Sequence, residues 1–213
     1  MLFCLGYFLV TNSLVTNKIE RILGDIEHQG WSIQTDFFPT DLTVKLRETL
    51  IEQHQQGKLK QAGIGRESKL HIETSIRSDQ INWFDENRLN LSQAAYLTSL
   101  NQLKDALNQQ FYFGLIDFEV HFALYETNAF YKRHLDQHQN QDTRVLTTIT
   151  YLNENWQDED GGELCVYVAE NKTITVKPET GTLVCFLSAE YEHEVLPAKR
   201  ERASLTGWFR RRD

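Results

Sequence analysis

The sequence predicts an α+β fold in which helices come first along the chain and the short strands of an antiparallel sandwich or jelly roll follow. Up to about residue 113, apolar residues recur at the three- and four-residue spacing of amphipathic helices. From residue 114 onward, short segments of alternating apolar and polar residues take over, separated by turn signals such as Gly161-Gly162. Helices followed by strands, instead of a regular alternation of the two, are typical of the α+β class.

Three segments of the first half carry an apolar stripe at helical spacing. The predicted helices cover residues 17–29 with Gly30 as a stop signal, begin at Thr40 after Pro39, and begin behind Ser92 as the N-cap. The stripes consist of Ile19, Ile22, Leu23 and Ile26; of Leu42, Leu46 and Leu50; and of Leu97, Leu100, Leu103, Leu107 and Phe111. Such stripes are typical of core packing.

The second half contains seven candidate strands in about a hundred residues, which favours an antiparallel sandwich or jelly roll. They cover residues 117–125, 144–152, 163–168, 172–177, 181–187, 192–196 and 203–210. No linker rich in proline, glycine or serine divides the chain. Residues 1–213 are therefore expected to form a single domain, with residues 1–113 as mainly helical support and residues 114–211 as the jelly-roll core.

The composition narrows the class of protein further. A hydrophobic fraction of 40% and a charged fraction of 24% exclude collagen, coiled coil and wholesale disorder. The net charge of −8 argues against a nucleic-acid partner. The thiols Cys4, Cys165 and Cys185 are too scattered for a disulfide framework, which favours a reducing compartment.

The first ten residues, MLFCLGYFLV, form an apolar segment whose role the sequence leaves open. The segment lacks a basic region and a small-residue cleavage site, and it is too short to span a bilayer. A degenerate signal sequence, a buried first strand and a misplaced start codon remain alternatives. We expect a cytoplasmic protein that binds neither membrane nor nucleic acid.

The segment Tyr131–Asp136 contains the first chemical signal. In an extended strand, residues two apart point to one face, so His134 and Asp136 project together. Two histidines and one carboxylate on one face hold ferrous iron in oxygenases, and His193 in the late β region can supply the second imidazole. The alternative is a closed structural metal site with His138 as the fourth ligand. The remaining histidines, among them His121, are expected to be surface or internally satisfied side chains.

Arg202 follows His193 by nine residues, at the start of a predicted strand. A guanidinium binds a carboxylate bidentately, in a geometry that lysine cannot match. An iron site with open positions beside a fixed arginine suits a 2-oxo acid with a distal carboxylate, as in 2-oxoglutarate. The alternative is an ordinary charged turn, because Lys199 and Arg200 lie close by in the sequence.

Together these stretches resemble the prolyl-hydroxylase branch of the iron(II)/2-oxoglutarate dioxygenases, and most of all the hypoxia-inducible-factor prolyl hydroxylases and their bacterial relatives. The resemblance covers roughly residues 60–211 and rests on the order and spacing of YxTNxFYKRHLD, TTITYLNENW, GGEL and HEVxPAxxxRxSLTGWF. It implies a double-stranded β-helix, or jelly roll, with supporting N-terminal helices. It also implies an enzyme that uses Fe(II) and 2-oxoglutarate, with ascorbate as a candidate reductant.

The resemblance implies a role for each site residue. His134, Asp136 and His193 would bind the iron, with no catalytic residue beyond this metal site. Arg202 and Tyr151 would hold the distal carboxylate of 2-oxoglutarate, and Tyr125 would lie near its iron-chelating end. The two apolar side chains expected to line the pocket are those of Leu164 and Trp208.

An upstream block, with Arg77, Asp79 and Trp83, resembles the segment that shapes a protein-substrate groove in the same family. The run from Ala62 to Arg66 resembles a mobile lid loop, with an ordinary flexible connector as the alternative. The implied reaction is hydroxylation of a prolyl residue in a protein, with succinate and CO₂ as co-products. Elongation factor Tu is the candidate partner if the chain is bacterial. The alternatives are the same chemistry on another residue or a small molecule, and a non-catalytic jelly-roll module.

Overall fold

The computed structural model describes residues 17–63, 71–137 and 143–212, which form two antiparallel sheets with three helices against the larger one. The helices are α1 (residues 17–29), α2 (Thr40–Gln55) and α3 (Leu91–Phe111), and a single 3-10 turn covers Asp158–Asp160. The strands are β1 (Trp31–Gln34), β2 (Lys60–Gln61), β3 (Gln80–Trp83), β4 (Leu115–Tyr125), β5 (Tyr131–His134), β6 (Arg144–Tyr151), β7 (Leu164–Ala169), β8 (Lys172–Val176), β9 (Leu183–Leu187), β10 (His193–Val195) and β11 (Arg202–Arg211).

The two sheets face each other as the halves of a double-stranded β-helix. The larger sheet has the strand order β1-β9-β6-β11-β4-β3-β2, and the smaller sheet has the order β5-β10-β7-β8. Apolar side chains from both sheets, such as Ile149, Val166 and Val195, form the core between them. The predicted α+β class with a jelly-roll core is confirmed, and each of the seven strands predicted for the second half is present.

The larger sheet separates two environments because successive side chains of a strand point to opposite faces. On β11, Leu205 and Phe209 belong to the core shared with the helices, where Leu46 and Leu100 are fully buried. The alternate residues of β11 line the space between the sheets: Arg202, Ser204, Thr206 and Trp208. The helices thus stabilise the back of the sheet and leave its front for polar and aromatic groups. No helix in the described part of the chain is both long and apolar enough to cross a bilayer.

The start of α3 differs from the prediction, because its N-cap is Asn90 and not Ser92. Asn90 Oδ1 accepts a hydrogen bond from the backbone N–H of Gln93 at 2.9 Å, and Gln93 Oε1 accepts one from the Asn90 N–H at 3.0 Å. This reciprocal pair is a capping box that satisfies two backbone donors at once. Ser92 lies inside the first turn and donates its hydroxyl to Asn90 Oδ1.

The first half also contributes three strands to the larger sheet, which helical patterning did not predict. β1 pairs with β9, so that Trp31 faces Phe186, and β3 pairs with β4, so that Trp83 faces His121. Each of these strands has at most four residues, too few to show an alternating pattern. Their partners β9 and β4 lie far along the chain, and pairing with them determines the extended conformation.

Candidate active site

A cavity of about 510 Å³ lies between the two sheets and opens to solvent on one side. Its floor is the front of β6, β11 and β4, and its far wall consists of β5 and β10. Most of the site residues expected from the sequence line this cavity. The exceptions are Asp79, Tyr151 and Leu164, which are fully buried.

Two histidines and one aspartate meet at the far wall. His134 is the last residue of β5 and His193 the first of β10, and the two residues are cross-strand partners. Asp136 Oδ1 lies 3.5 Å from His134 Nε2, and Asp136 Oδ2 lies 3.5 Å from His193 Nε2. One ligand atom from each residue lies within 4.8 Å of the others. The expectation that His134 and Asp136 share one strand is wrong in detail, because β5 ends at His134 and a bend carries Asp136 to the same place.

Backbone carbonyls orient both imidazoles. His134 Nδ1 lies 2.7 Å from the carbonyl oxygen of Lys132, and His193 Nδ1 lies 3.3 Å from that of Tyr191. Because a carbonyl oxygen only accepts hydrogen bonds, each Nδ1 carries the proton and each Nε2 keeps its lone pair. Hydrogen bonds of this kind fix the tautomer of metal-binding histidines.

The electrostatics also favour the ligand forms of these side chains. Burial lowers the pKa of His193 to about 4, against the opposing charge of Asp136, so the imidazole is neutral at physiological pH. Burial alone would raise the pKa of Asp136, but the two nearby histidines outweigh it and hold that pKa below its usual range. Two imidazoles and a carboxylate on one face form the donor set that non-haem ferrous iron uses.

Thr147 on β6 is hydrogen-bonded to the Asp136 carboxylate and was not identified from the sequence. Its hydroxyl donates a hydrogen bond to Asp136 Oδ2 at 2.9 Å, and the hydroxyl of Ser188 lies 2.9 Å from that of Thr147. Both hydroxyl side chains are fully buried. The signal in the sequence is the spacing of Thr147 and Tyr151, which places them on the same face of one strand.

The aromatic ring of Tyr131 supports His134 from the side. The two rings are nearly parallel, at an interplanar angle of 15°, with 3.5 Å between their centroids. The guanidinium carbon of Arg77 lies 4.3 Å from the centroid of the Tyr131 ring. Arg77 in turn donates two hydrogen bonds to the carboxylate of Asp79, at 2.8 and 2.6 Å. A connected set of side chains therefore joins Asp79 to a metal ligand.

Asp79 lies behind Arg77 and not at the cavity surface. The residue is fully buried and both of its carboxylate oxygens are bonded to Arg77, so it does not face a substrate groove. Arg77 lines the cavity, and Trp83 lies at the cavity edge with 46% of its surface exposed. Of the three residues, Arg77 and Trp83 are therefore accessible from the cavity, and Asp79 holds Arg77 in place.

Arg202, which lines the cavity, and Tyr151, which is fully buried beside it, form a second polar centre. Arg202 is only 1% exposed; its Nε donates to the carbonyl oxygen of Gly162 at 2.9 Å, and its Nη1 lies 3.5 Å from the hydroxyl of Ser204. The Arg202 Nη2 atom and the Tyr151 hydroxyl are buried and have no hydrogen-bond partner among the described residues. Leaving buried donors unpaired costs about 1–3 kcal/mol each.

A carboxylate bound at this centre would satisfy both donors. The guanidinium carbon of Arg202 lies 5.0 Å from the ring centroid of Tyr151 and 4.9 Å from that of Tyr125. Burial raises the pKa of Tyr151 to about 12, against the opposing effect of Arg202, so the hydroxyl remains a hydrogen-bond donor. Burial also raises the pKa of Tyr125. The arrangement fits the distal carboxylate of a 2-oxo diacid.

The glycine pair before β7 explains how Arg202 is accommodated. Gly162 has a φ of +74°, and a Cβ atom at this position would lie 2.7 Å from the Cβ of Ala198 and 3.4 Å from the Cδ of Arg202. Only glycine allows this backbone to approach Arg202 and offer its carbonyl. Leu164, which follows two residues later, is buried in the core between the sheets, and Trp208 lines the cavity.

Two of the expected features fall wholly or partly outside the described residues. His138, the candidate fourth metal ligand, lies outside them, as do residues 64–66 of the expected lid. Of that segment, Ala62 and Gly63 are described. The Ala62 N–H donates to the carbonyl oxygen of Asp79, and the Gly63 carbonyl oxygen lies 3.4 Å from Arg77 Nη1.

The fold and site define a non-haem metal-dependent oxygenase. Residues 120–210 match the family model described as the 2OG-Fe(II) oxygenase superfamily. The cofactors of this family are Fe(II) and 2-oxoglutarate, which fit the donor sets at the His134 and Arg202 centres.

Within this superfamily, the chain belongs to the prolyl-hydroxylase branch, and the resemblance seen in the sequence is confirmed. The crystal structure of a Pseudomonas putida prolyl-4-hydroxylase has a TM-score of 0.85 and 44% identity, and the match covers 91% of this chain and 99% of that chain. The hypoxia-inducible factor prolyl hydroxylase of Caenorhabditis elegans is 32% identical over 205 residues, which cover 89% of this chain. Mouse prolyl hydroxylase EGLN3 is 28% identical over 198 residues, or 90% of this chain and 82% of the mouse protein.

The relatives differ in how much of their length this chain represents. The matched segment spans only 28% of the nematode protein and 49% of mouse Egl nine homolog 1. By contrast, it spans nearly all of the Pseudomonas chain of known structure.

Proposed function

We propose that this chain hydroxylates a prolyl residue in a polypeptide, using 2-oxoglutarate as co-substrate and releasing succinate and CO₂. The observation that carries the proposal is the pair of unpaired buried donors, Arg202 Nη2 and the Tyr151 hydroxyl, beside the cavity that Arg202 and the metal-ligand triad line. A triad alone would suit many metals and many roles. A triad with a carboxylate-binding centre is the combination that a 2-oxo diacid requires.

The residues of the triad would hold the metal and leave room for small ligands beside it. His134, Asp136 and His193 all line the cavity, so small ligands in the cavity could reach a metal held by them. Bound iron, with 2-oxoglutarate and dioxygen, supplies the oxidising chemistry for attack on a C–H bond. The chain orients these partners and keeps bulk water away from them.

The charge and the burial of Arg202 orient the co-substrate. The buried cation of Arg202 attracts the distal carboxylate, and the Tyr151 hydroxyl donates a second hydrogen bond to it. Charge-assisted hydrogen bonds of this kind are about twice as strong as neutral ones. Apolar side chains, among them Ile149 and Val195, line the cavity nearby and exclude water.

A polypeptide substrate is supported by the open side of the cavity. Trp83 is half-exposed at this edge, and the guanidinium carbon of Arg144 lies 3.6 Å from the ring centroid of Trp208. Of the residues that line the cavity, Trp83 and Lys60 are exposed, and an open edge of this kind suits a chain segment better than a small enclosed molecule. The 44% identity to the bacterial prolyl-4-hydroxylase also supports a prolyl substrate.

Elongation factor Tu is the first candidate substrate that we propose. The sequence resembles bacterial relatives associated with that factor, and the identity to the Pseudomonas enzyme points to a bacterial branch. A cytoplasmic location belongs to the same proposal, since the thiols of Cys165 and Cys185 are both free. Nucleic acid and membrane have no part in it.

The test is mass spectrometry of a bacterial lysate, and of purified elongation factor Tu, after treatment with the protein, ferrous iron and 2-oxoglutarate. The inactive controls are the His134→Ala and His193→Ala variants. The matched active control is His28→Ala, which removes an exposed histidine of α1. We expect one added oxygen on a prolyl residue with the wild-type and His28→Ala proteins only.

Other outcomes of this experiment are informative. Succinate formation without any oxidised protein would point to a small-molecule substrate. Oxidation of a residue other than proline would keep the chemistry and change the substrate class. If neither succinate nor an oxidised product forms, the chain would instead be a non-catalytic metal-binding module.

A further inference from the structure

His121 is a buried histidine of the cavity that neither the metal site nor the 2-oxoglutarate site uses. It lies on β4, faces the cavity and is 3% exposed. Its cross-strand neighbours are Trp83 on β3 and Thr206 on β11. The imidazole makes ring contacts with two tryptophans, at centroid distances of 4.7 Å to Trp83 and 5.6 Å to Trp208. Of the two expectations for this histidine, a surface position is excluded because the residue is buried.

The hydrogen bonding of this imidazole assigns a role to each ring nitrogen. His121 Nδ1 lies 3.1 Å from the carbonyl oxygen of Phe122, so Nδ1 carries the proton. The neutral ring then has a lone pair on Nε2, which can only accept. Among residues 17–63, 71–137 and 143–212, the hydrogen bond found for this ring is the one through Nδ1.

The surroundings keep the ring neutral. Burial and the cation of Arg77, with a smaller contribution from Arg144, lower the pKa of His121 to about 4, against the opposing charge of Asp79. A protonated ring would offer a second donor, but the neutral ring is an acceptor at physiological pH. The cavity therefore contains a fixed acceptor beside Trp83.

The co-substrate cannot satisfy this acceptor. 2-Oxoglutarate has two carboxylates and a ketone, all of which are acceptors at neutral pH. Thr206 is the neighbour of His121 on β11, and it lies four residues from Arg202 on the same strand. This register places His121 about 13 Å from Arg202 along the strand direction. His121 therefore lies on the Trp83 side of the cavity, away from the carboxylate centre, and its partner belongs to the substrate that is oxidised.

We propose that His121 Nε2 accepts a hydrogen bond from a main-chain N–H next to the target proline and so positions the polypeptide for oxidation. The proposal rests on the proposed function. The proline nitrogen has no hydrogen, so the nearest main-chain donors are the N–H groups of the residues before and after it. Trp83, half-exposed at the cavity edge, lies beside His121 where such a segment enters.

The test uses internal competition between peptide pools. The probes are three pools of nonapeptides, each with proline at the centre and randomised residues on both sides. One pool has only amide bonds. In the second pool an ester oxygen replaces the N–H of the residue before the proline, and in the third it replaces the N–H of the residue after the proline. Isotope labels identify the pools, which are mixed and oxidised in one tube. The ratio of product rates gives the ratio of kcat/KM values, and it does not depend on how much of the enzyme is folded.

Three proteins are compared. The wild type should prefer the all-amide pool over one ester pool by roughly three- to tenfold, the effect of one neutral hydrogen bond. In His121→Phe, which keeps a planar ring between the tryptophans, this preference should fall close to one. His121→Gln, whose side-chain oxygen can still accept, should retain it. If His121→Phe does not fold, His121→Leu replaces it.

The outcomes separate this proposal from the proposed function. If His121→Phe discriminates against both ester pools as strongly as the wild type does, the role of His121 is overturned and prolyl hydroxylation stands. If the wild type oxidises no pool, the proposal for His121 falls, and the experiment with the lysate and elongation factor Tu decides separately on prolyl hydroxylation. If His121→Phe loses the preference for the all-amide pool and His121→Gln keeps it, the result supports both the role of His121 and prolyl hydroxylation.

Discussion

The ring of Tyr131 lies parallel to that of His134, with 3.5 Å between the two centroids. Because the imidazole is also tied to the Lys132 carbonyl through Nδ1, two independent contacts hold it. The Tyr131 ring is in turn contacted by the guanidinium of Arg77, which forms an ion pair with Asp79. The block that resembles a substrate-groove segment thus also supports the strand that carries a metal ligand.

Removal of the Tyr131 ring should weaken metal binding. Residues that support metal ligands typically contribute 10- to 100-fold in affinity, so we expect Tyr131→Ala to lower the affinity for Mn²⁺ about tenfold. Tyr131→Phe keeps the ring and should bind Mn²⁺ as the wild type does. Titration followed by electron paramagnetic resonance measures both. Equal affinities in the Ala and Phe variants would show that the stacked ring does not position His134.

Replacement of Arg202 should affect the co-substrate and spare the metal. Arg202→Ala removes a buried charge-assisted contact worth about 1.5–3 kcal/mol, so the KM for 2-oxoglutarate should rise roughly 10- to 100-fold. Mn²⁺ affinity should remain close to that of the wild type. The control is Arg200→Ala, a neighbouring arginine whose side chain is 42% exposed. A loss of metal affinity with a normal KM would contradict the carboxylate-binding role.

The hydroxyl of Thr147 should matter for the orientation of Asp136. Thr147→Val is nearly isosteric but removes the hydrogen bond to Asp136 Oδ2, so metal affinity should fall about tenfold. Thr148→Val is the matched control, since Thr148 is the next residue and its hydroxyl bonds to the Gly207 carbonyl on the opposite face of β6. Calorimetric titration with Mn²⁺ compares the two. A similar loss in both variants would indicate a general effect on the strand.

The low pKa of His121 should make stability depend on pH. The folded state protonates this ring near pH 4, and the unfolded chain protonates it near pH 6.5. Between these values the unfolded state binds more protons, so the free energy of unfolding should fall as the pH falls from about 6.5 to about 4, by roughly 3 kcal/mol from this group. His121→Phe should remove that part of the slope.

Urea unfolding at several pH values measures this dependence. The charged groups that act on the ring are Arg77, Arg144 and Asp79, and they stay in place in the variant. The difference in slope between the wild-type and variant proteins therefore isolates His121. Parallel pH profiles for the two proteins would mean that the imidazole is protonated as easily in the folded state as in the unfolded chain.

Much of the fold and of the site could be predicted from the sequence, because the signals are local or depend on residue type. The strands β6, β7, β8, β9 and β11 have at least five residues each, enough for an alternating pattern to be recognised, and turns with glycine separate several of them. The residue types of His134, Asp136, His193 and Arg202 indicate their chemistry, and the structure brings all four into one cavity.

The remaining features depend on contacts between distant segments. A two- to four-residue strand such as β3 shows no periodicity, and only its pairing with β4 makes it extended. The roles of Asp79 and His121 could not be predicted for the same reason. Asp79 is withdrawn from the surface by its bonds to Arg77, and His121 faces the cavity because β4 lies between β11 and β3.

The sequence by itself determined the class of fold, the family and the donor types of the metal and carboxylate centres, because these follow from residue identity and short-range spacing. The tertiary structure decided which side chains support those centres and which face the substrate. Burial, strand neighbours and the partner of each polar atom arise only when segments more than a hundred residues apart pack together, as in the pairing of Trp31 with Phe186.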